Sequence, residues 1–414
     1  MSDTVTPSEI ETARERIAEF VRLTPTVASQ SLTDVAQVPV TLKLENLQRT
    51  GSFKVRGANN VLASLKPAPT GVIAASAGNH AQAVALAASQ RGVGATVVMP
   101  ETAPAAKQQA CHNYGATIEL VEGSLAAAQT RARTLAEERG LFYIPPYDAP
   151  AIVAGQGTLG LELLDQVPEL ETVIVPAGGG GLLAGVALAV KSKRPDARVI
   201  GVQTAAMNGI VESLQAGAPV AVLPRHTIAD GVAVAGPSEL TLALIREHVD
   251  DVVEVSEEAI ARAIVFLLER ARVVAEGAGA LAVAALLTGA ARPTGPTVAV
   301  VSGGNIDINV LDRLVDRGLE VDGRRQRITV ATANVPGELE RISGAIGRAR
   351  ANIIHVEHDL SAPDLPVEVA RLTVILDLPE ATAIELVRGE LLADGFAEGE
   401  RTDFETPAAA NWPS

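Results

Sequence analysis

Between residues 40 and 320 this 414-residue sequence repeats one pattern: a short apolar run, a turn of small residues, then an alanine-rich stretch of helical length. Val40–Leu44, Val72–Ala75, Thr96–Met99, Thr117–Val121, Thr172–Val175, Val199–Val202 and Thr297–Val301 read as buried strands. His80–Arg91, Leu125–Arg139, Leu182–Lys191, Glu257–Glu269 and Ala278–Leu287 read as helices between them. Strand and helix alternating at this spacing call for an α/β fold with open, mostly parallel sheets. In such sheets ligands sit beyond the carboxyl ends of the strands, in the loops that lead into helices.

The pattern changes after Leu319. Glu320-Val-Asp-Gly-Arg-Arg-Gln-Arg327 reads as a charged linker. Beyond it, Ile328, Val330 and Thr332 alternate as a strand, and Pro336 to Ala351 carries Leu339, Ile342 and Ile346 at helical spacing. Asn352–His358 and Val367–Asp377 read as strands, Ala381–Ala393 as a helix, and 396–402 as a last strand. That order, β-α-β-β-α-β, is the ferredoxin-like split unit. The stretch from Thr406 is rich in proline and alanine and reads as a frayed tail.

Apolar residues make up 47% of the chain and charged residues 20%, enough for a sizeable core and too apolar for disorder. Acidic side chains outnumber basic ones 49 to 34, there is no basic block, and aromatics amount to 2%. Nucleic acid and anionic membrane are therefore not expected partners. The uncharged window Thr172 to Val190 invites a membrane span, but Pro176 and Gly178 to Gly181 lie inside it, which makes it strand, glycine loop, helix. Met1 to Pro25 has no apolar signal core, and the one cysteine, Cys111, has no partner for an internal disulfide. The expectation is a cytoplasmic protein.

Four strand-to-helix loops carry possible chemistry. In Leu44-Glu-Asn-Leu-Gln-Arg-Thr-Gly-Ser-Phe-Lys54-Val-Arg-Gly57, two glycines bracket a lone lysine at a helix start. There a partly desolvated amine near other cations has a lowered pKa and can form a Schiff base. Taken alone, a solvated turn lysine is the simpler reading. Ala75-Ser-Ala-Gly-Asn-His-Ala81 opens a helix, whose free amides suit a carboxylate; ordinary capping by Ser76 or Asn79 is the alternative. Alone, His80 reads as a packed histidine. Val173-Ile-Val-Pro-Ala-Gly-Gly-Gly-Gly181-Leu-Leu-Ala-Gly185 lets successive amides converge on a phosphate. Its Gly179-x-Gly181-x-x-Ala184 subset also fits a relaxed dinucleotide fingerprint, but the next strand ends Gln203-Thr204 without the acid a ribose needs, which disfavours a nicotinamide oxidoreductase. Val298-Ala-Val-Val-Ser-Gly-Gly-Asn305 ends a strand in a neutral hydroxyl. No metal site is expected: His355 and His358, three apart on a strand, point to opposite faces, and Cys111 beside His112 lacks a third partner.

Together these segments resemble the fold-type II enzymes dependent on pyridoxal 5′-phosphate (PLP), and specifically the threonine dehydratases, or threonine ammonia-lyases. Gly-Ser-Phe-Lys-x-Arg-Gly, Ser-Ala-Gly-Asn-His-Ala-Gln, Gly-Gly-Gly-Gly-Leu and Ser-Gly-Gly-Asn stand in that family's order between about Thr24 and Gly318. The resemblance implies the tryptophan synthase β-like fold of two subdomains, with Lys54 forming the internal aldimine and Phe53 beside the pyridine ring. It implies that Asn79 bonds the ring hydroxyl, that Gly178, Gly179, Gly180, Gly181 and Leu182 cradle the phosphate, and that Ser302 faces the ring nitrogen. Glu276, in Val273-Val-Ala-Glu-Gly-Ala-Gly, matches an acid near the ring. Ser76, Ala77, Gly78, Asn79 and His80 would hold the substrate carboxylate. The implied reaction is Cα proton removal by the freed Lys54 and loss of the β-hydroxyl, giving 2-oxobutanoate and ammonia from L-threonine.

Serine dehydratases and serine racemases share nearly all of these motifs. A racemase needs a second acid or base opposite the lysine, where the racemase relatives have a serine and this chain has Ala77. They also place a glutamate metal ligand where this chain has Gln203, so no metal is carried over. A non-catalytic amino-acid sensor is the remote alternative.

The C-terminal segment resembles the ACT domains, small regulatory modules that bind amino acids. Gly337, Glu338 and Leu339, with Asn352 and Ile353, match that family's effector positions, usually across a domain–domain interface. Isoleucine or valine is the implied effector, and a dimer or tetramer the implied assembly. The expected organisation is a catalytic domain over 1–322 with a smaller subdomain at about 42–150 inserted in it, a regulatory domain over 327–402, and a flexible tail over 403–414.

Overall fold

Three sheets organise the chain in the computed structural model, which describes residues 4–360 and 365–396. The largest has six strands, in the spatial order Thr26–Ala28, Val40–Leu44, Thr297–Val301, Thr172–Pro176, Arg198–Thr204, Asp251–Val255. All neighbours are parallel except the first pair. A four-stranded parallel sheet follows the order Thr117–Val121, Gly94–Pro100, Gly71–Ala75, Phe142–Tyr143. Both belong to one compact unit, Met1–Leu311; the second unit is Asp312–Ser414.

The central strands of the parallel sheets are buried at every position, in Gly71–Ala75, Thr172–Pro176 and Thr297–Val301 alike. Helices cover both faces of such a sheet, so its inner strands read as unbroken apolar runs. Edge strand Asp251–Val255 is partly exposed and carries Asp251 and Glu254, which hides it from a search for apolar runs. Helix Pro150–Gln166 brings the chain back from the smaller sheet and packs its buried face on helices Lys54–Ser64 and Gly181–Lys193.

The structure bears on two boundaries. Val40–Leu44 pairs with Thr297–Val301, so this strand, which overlaps the start of the subdomain expected at about 42–150, belongs to the larger sheet. The stretch 320–327 is not a linker. Helix Ile308–Val321 buries Leu314, Gly318 and Leu319 and runs into it, and strand Arg325–Ala333 starts before its end. Glu320 and Arg327 are exposed, whereas Asp322, Arg324 and Arg325 are half-buried at the helix end and strand start, Arg325 paired with Asp316. The helix 257–269 also ends differently, with α-helix Glu257–Phe266 passing into a π-helical turn, Leu267–Ala271.

In the second unit, Val369–Asp377 lies between Arg325–Ala333 and Asn352–Asp359, antiparallel to both. Helices Glu338–Arg348 and Ala383–Ala393 contribute Ile342, Ile346, Val387 and Leu391 to a core with Val330, Leu372 and Val374. The described order, β-α-β-β-α, is ferredoxin-like. The last strand expected at 396–402, beyond Phe396, and the tail lie outside the described residues. Among the described residues, no helix is long and apolar enough to cross a membrane; Thr172–Val190 is strand, glycine turn and helix.

Candidate active site

Parallel strands deliver their carboxyl ends to one edge, so loops far apart in sequence meet there. They meet around a cavity of about 680 Å³ lined by Phe53, Lys54, Ser76 to His80, Gly178 to Leu182, Glu276 and Ser302.

Lys54 is the first residue of helix Lys54–Ser64. The turn before it is stitched to the serine loop: the Phe53 amide donates to the Ser302 carbonyl at 3.1 Å, and Ser52 pairs with Gly303. The Lys54 ammonium donates to the Pro146 carbonyl at 2.9 Å and lies 5.3 Å from the centre of the Phe53 ring. Burial lowers its pKa to about 8, against the opposing pull of Glu276 and Asp148. Desolvation therefore activates this amine, where the sequence pointed also to neighbouring cations.

Two residues further on, Arg56 is buried at 0% exposure. It donates to Glu45 at 2.8 Å through Nε and Nη2, and to Glu162 at 2.7 and 2.9 Å. Lys43 donates to Glu162 at 2.7 Å, to the Thr24 carbonyl and to Gln166. Burial opposes the Arg56 charge, but Glu45 and Glu162 outweigh it and hold its pKa above the ordinary value. Two cations and two anions thus balance inside the core, fastening the lysine helix to the larger sheet and to helix Pro150–Gln166.

Helix Asn79–Ser89 starts at Gly78 with no side-chain cap, so neither Ser76 nor Asn79 caps it. The Ser76 hydroxyl instead accepts from the Gly78 amide at 3.1 Å. Asn79 Nδ2 donates to Glu276 Oε1 at 2.6 Å, and Asn79 Oδ1 accepts from Asn305 Nδ2 at 2.8 Å. Burial raises the Glu276 pKa to about 7, although the Asn79 hydrogen bond favours the charged form. His80 Nε2 is bonded to the Ile144 carbonyl at 2.9 Å, and burial, then the Lys54 charge, lowers its pKa to about 3. Its ring is neutral and engaged with backbone.

The glycine loop enters helix Gly181–Lys193 through Gly180, whose φ of 92° is left-handed. A Cβ on Gly179 would lie 2.5 Å from ring carbons of Tyr147, so a side chain there would collide with that ring. Thr241 donates to the Gly179 carbonyl at 2.9 Å and pins the turn. The result is a backbone cradle at a helix N-terminus, the kind of place that accepts a phosphate. Ser302 is 3% exposed and its hydroxyl donates to the Ala278 carbonyl at 3.3 Å. An amine of lowered pKa, a phosphate-sized cradle, an aromatic ring and a neutral hydroxyl on one cavity fit PLP.

Sequence reasoning missed several residues here. Tyr147 walls the glycine loop and its hydroxyl donates to the Gly236 carbonyl at 3.2 Å. Lys107 and Asp230 lie 3.5 Å apart between two lining segments of the cavity. The only local signal is the Pro-Pro-Tyr147-Asp148 turn, itself placed after a short strand. Gln203 is satisfied within the fold: its Oε1 accepts from the amides of Ile210 and Val211, and its Nε2 donates to the Met207 carbonyl at 3.2 Å. Among the described residues, no group of three or more His, Cys, Asp or Glu could hold a metal ion.

The residues matched to effector positions do not come together within one chain. Gly337, at φ 99°, begins helix Glu338–Arg348 after strand Arg325–Ala333, whose last residue pairs with Val369. Asn352 pairs with Asp377, which also pairs with Arg325, the first residue of that strand. The two sets therefore lie at opposite ends of a strand of nine residues, about 27 Å apart at about 3.4 Å per residue. Glu338 is held locally by Thr332 at 2.6 Å and Arg341 at 2.8 Å; Leu339 is exposed, and Ile353 packs on the core of its unit.

Residues 17–303 match the model of the "Pyridoxal-phosphate dependent enzyme" family. Over 394 residues the chain is 42% identical to an L-threonine ammonia-lyase of Thermotoga maritima, covering 95% of this chain and 98% of that one. A threonine deaminase of T.th. superposes with a TM-score of 0.70 at 41% identity, covering 73% of this chain and 99% of that one. Maize serine racemase superposes with a TM-score of 0.72 at 36% identity, over 77% of this chain and 98% of that one. With its lysine, glycine cradle and serine gathered on one cavity and these relationships beside them, the chain belongs to the pyridoxal-phosphate-dependent enzymes, in the group that holds the threonine ammonia-lyases.

Proposed function

We propose that this protein dehydrates and deaminates L-threonine to 2-oxobutanoate and ammonia, with PLP carried on Lys54. The observation that carries the reading is the buried Lys54 amine, with a pKa of about 8, in one cavity with the glycine cradle. An amine titrating near neutrality is suited to take the Cα proton and return it. Ser76, Ala77, Gly78, Asn79 and His80 present the start of their helix to the substrate carboxylate. Gly178 to Leu182 hold the phosphate, Phe53 flanks the ring, Asn79 meets the ring hydroxyl with Glu276 behind it, and Ser302 faces the ring nitrogen. Bound there, PLP supplies a moderate electron sink at Cα, because the partner of its ring nitrogen is a neutral hydroxyl.

Serine racemase is the competing reading, since the racemase fold superposes as well as the deaminase fold does. Ala77 favours elimination: it brings a methyl group to the cavity where a second proton donor would stand. A keto-acid assay on L-threonine and L-serine, with chiral analysis of the remaining serine, tests this. The expected result is 2-oxobutanoate from threonine with little D-serine; racemisation as fast as ammonia release would overturn the reading.

The proposal extends to a cytoplasmic enzyme feeding isoleucine synthesis or threonine breakdown, controlled by isoleucine or valine through its C-terminal domain. That control calls for a second copy. Among the described residues, strand Asn352–Asp359 pairs on one side only, and it exposes Ile354 at 47% and Val356 at 37%. Two such edges paired antiparallel would set Asn352 of one copy against Gly337 of the other, forming the effector site between them.

A further inference from the structure

We infer that Asn305 is a positioning residue that fixes which end of the Asn79 side-chain amide faces the cofactor; the inference rests on the reading above, in which Asn79 meets the ring hydroxyl. An asparagine amide presents a donor at one end and an acceptor at the other, and a half-turn exchanges them. Only the donor end serves a ring oxygen that carries negative charge. Something must therefore forbid the half-turn.

Glu276 does not forbid it. As a carboxylate it accepts from Asn79 Nδ2, at 2.6 Å. As a neutral acid it would donate to Asn79 Oδ1 equally well, and its pKa near 7 makes both forms available. The other neighbour removes the ambiguity. Asn305 Nδ2 lies 2.6 Å from the Thr50 carbonyl, which can only accept, so the amino end of Asn305 must point there. The same nitrogen holds a second proton, and it donates to Asn79 Oδ1 at 2.8 Å. With Oδ1 occupied in this way, Asn79 turns its amino end to Glu276 and has one N–H left over for the cavity that it lines.

The surroundings are shaped for this chain. Asn305 Oδ1 would lie 2.2 Å from a Cβ on Gly51, so only glycine at that turn leaves room for the Asn305 amide. The chain Thr50–Asn305–Asn79–Glu276 also joins the lysine loop, the loop after Ser302 and the helix start at Asn79. It gives a reason for the last residue of Ser-Gly-Gly-Asn, which touches neither the cavity nor the lysine.

The test is a double-mutant cycle on cofactor affinity in the full-length chain. Apoprotein is titrated with PLP and binding is read from protein fluorescence and from the visible band of the bound cofactor. Asn305→Asp keeps the shape but replaces the donor with an acceptor. We expect both it and Asn79→Ala to weaken PLP binding about ten- to hundredfold, the range for a lost buried hydrogen bond. The double variant should be no worse than the poorer single variant, because both act through one amide. Should Asn305→Asp not fold, Asn305→Ser, which removes the amide without adding charge, goes through the same cycle. Wild-type affinity in the Asn305 variants, or losses that multiply in the double variant, would overturn the inference. A wild-type chain that binds no PLP would bring down this inference together with the functional reading; binding with an additive cycle would bring down the role of Asn305 alone.

Discussion

The two units solve the same problem, gathering distant residues, with opposite success inside a single chain. In the first, parallel strands all end at one edge, and Lys54, Asn79, Gly179 and Ser302 line one cavity although they span some 250 positions of sequence. In the second, strands Arg325–Ala333 and Asn352–Asp359 also run parallel to each other, both antiparallel to Val369–Asp377, but Gly337 follows the end of one and Asn352 begins the other, so the two positions lie at opposite edges. A unit whose site residues all follow strand ends can build its site alone. One whose ligand-facing positions stand at a strand's end and at another strand's start needs a neighbour.

The contrast breaks most sharply at Lys54. Lys54→Ala should abolish turnover, by at least about a thousandfold if the amine serves as both anchor and base. The visible band should disappear with it; a cofactor adduct reducible by borohydride at another lysine would refute the assignment. Next comes the buried charge cluster. Arg56→Met leaves two carboxylates facing one lysine, and a buried pair broken on one side costs about 3–5 kcal/mol. Urea unfolding should show that loss in the first unit and leave the second untouched.

Effects in the second unit should be smaller and confined to regulation. Gly337→Val forces a branched side chain into a left-handed conformation, and Ile354→Lys places charge on the exposed strand edge. Both should leave unregulated turnover intact. Each should erase the response to isoleucine or valine, a shift in apparent substrate affinity of about 5- to 150-fold for typical couplings. Sedimentation should show Ile354→Lys weakening self-association. A response that survives both substitutions would place the effector site elsewhere.

The smallest effect concerns acid. Burial and the Lys54 charge hold the folded pKa of His80 near 3, below its ordinary 6.5, so between those values the unfolded chain binds the extra proton. Stability from this group is whole above about pH 6.5 and is lost as pH falls toward 3. Comparing urea midpoints at pH 7.5 and 5.5, His80→Gln should lose less than the native chain; an equal loss would show that other groups carry the dependence.

Legibility followed the same division. Strands such as Thr297–Val301 were readable because both faces are buried, whereas Asp251–Val255 was hidden by its edge position. The glycine run, Lys54 and Asn79 are legible because each stands in a short motif between a strand and a helix. Glu162 carries no local signal, Tyr147 only that of its turn, and Asn305 stands in a motif that does not show its role, because each works through a partner far away in sequence. The run at 320–327 reads as a linker because a charged helix end followed by a charged strand start has a linker's composition.

The four charges around Arg56 have a bearing on how such a chain can change over generations. Loss of any one of Lys43, Glu45, Arg56 or Glu162 strands a charge in the interior, yet an apolar replacement of all four together need not weaken the fold. Every single step away is downhill and only the combined step is level. Point substitutions taken singly therefore meet a barrier here that the combined replacement would not.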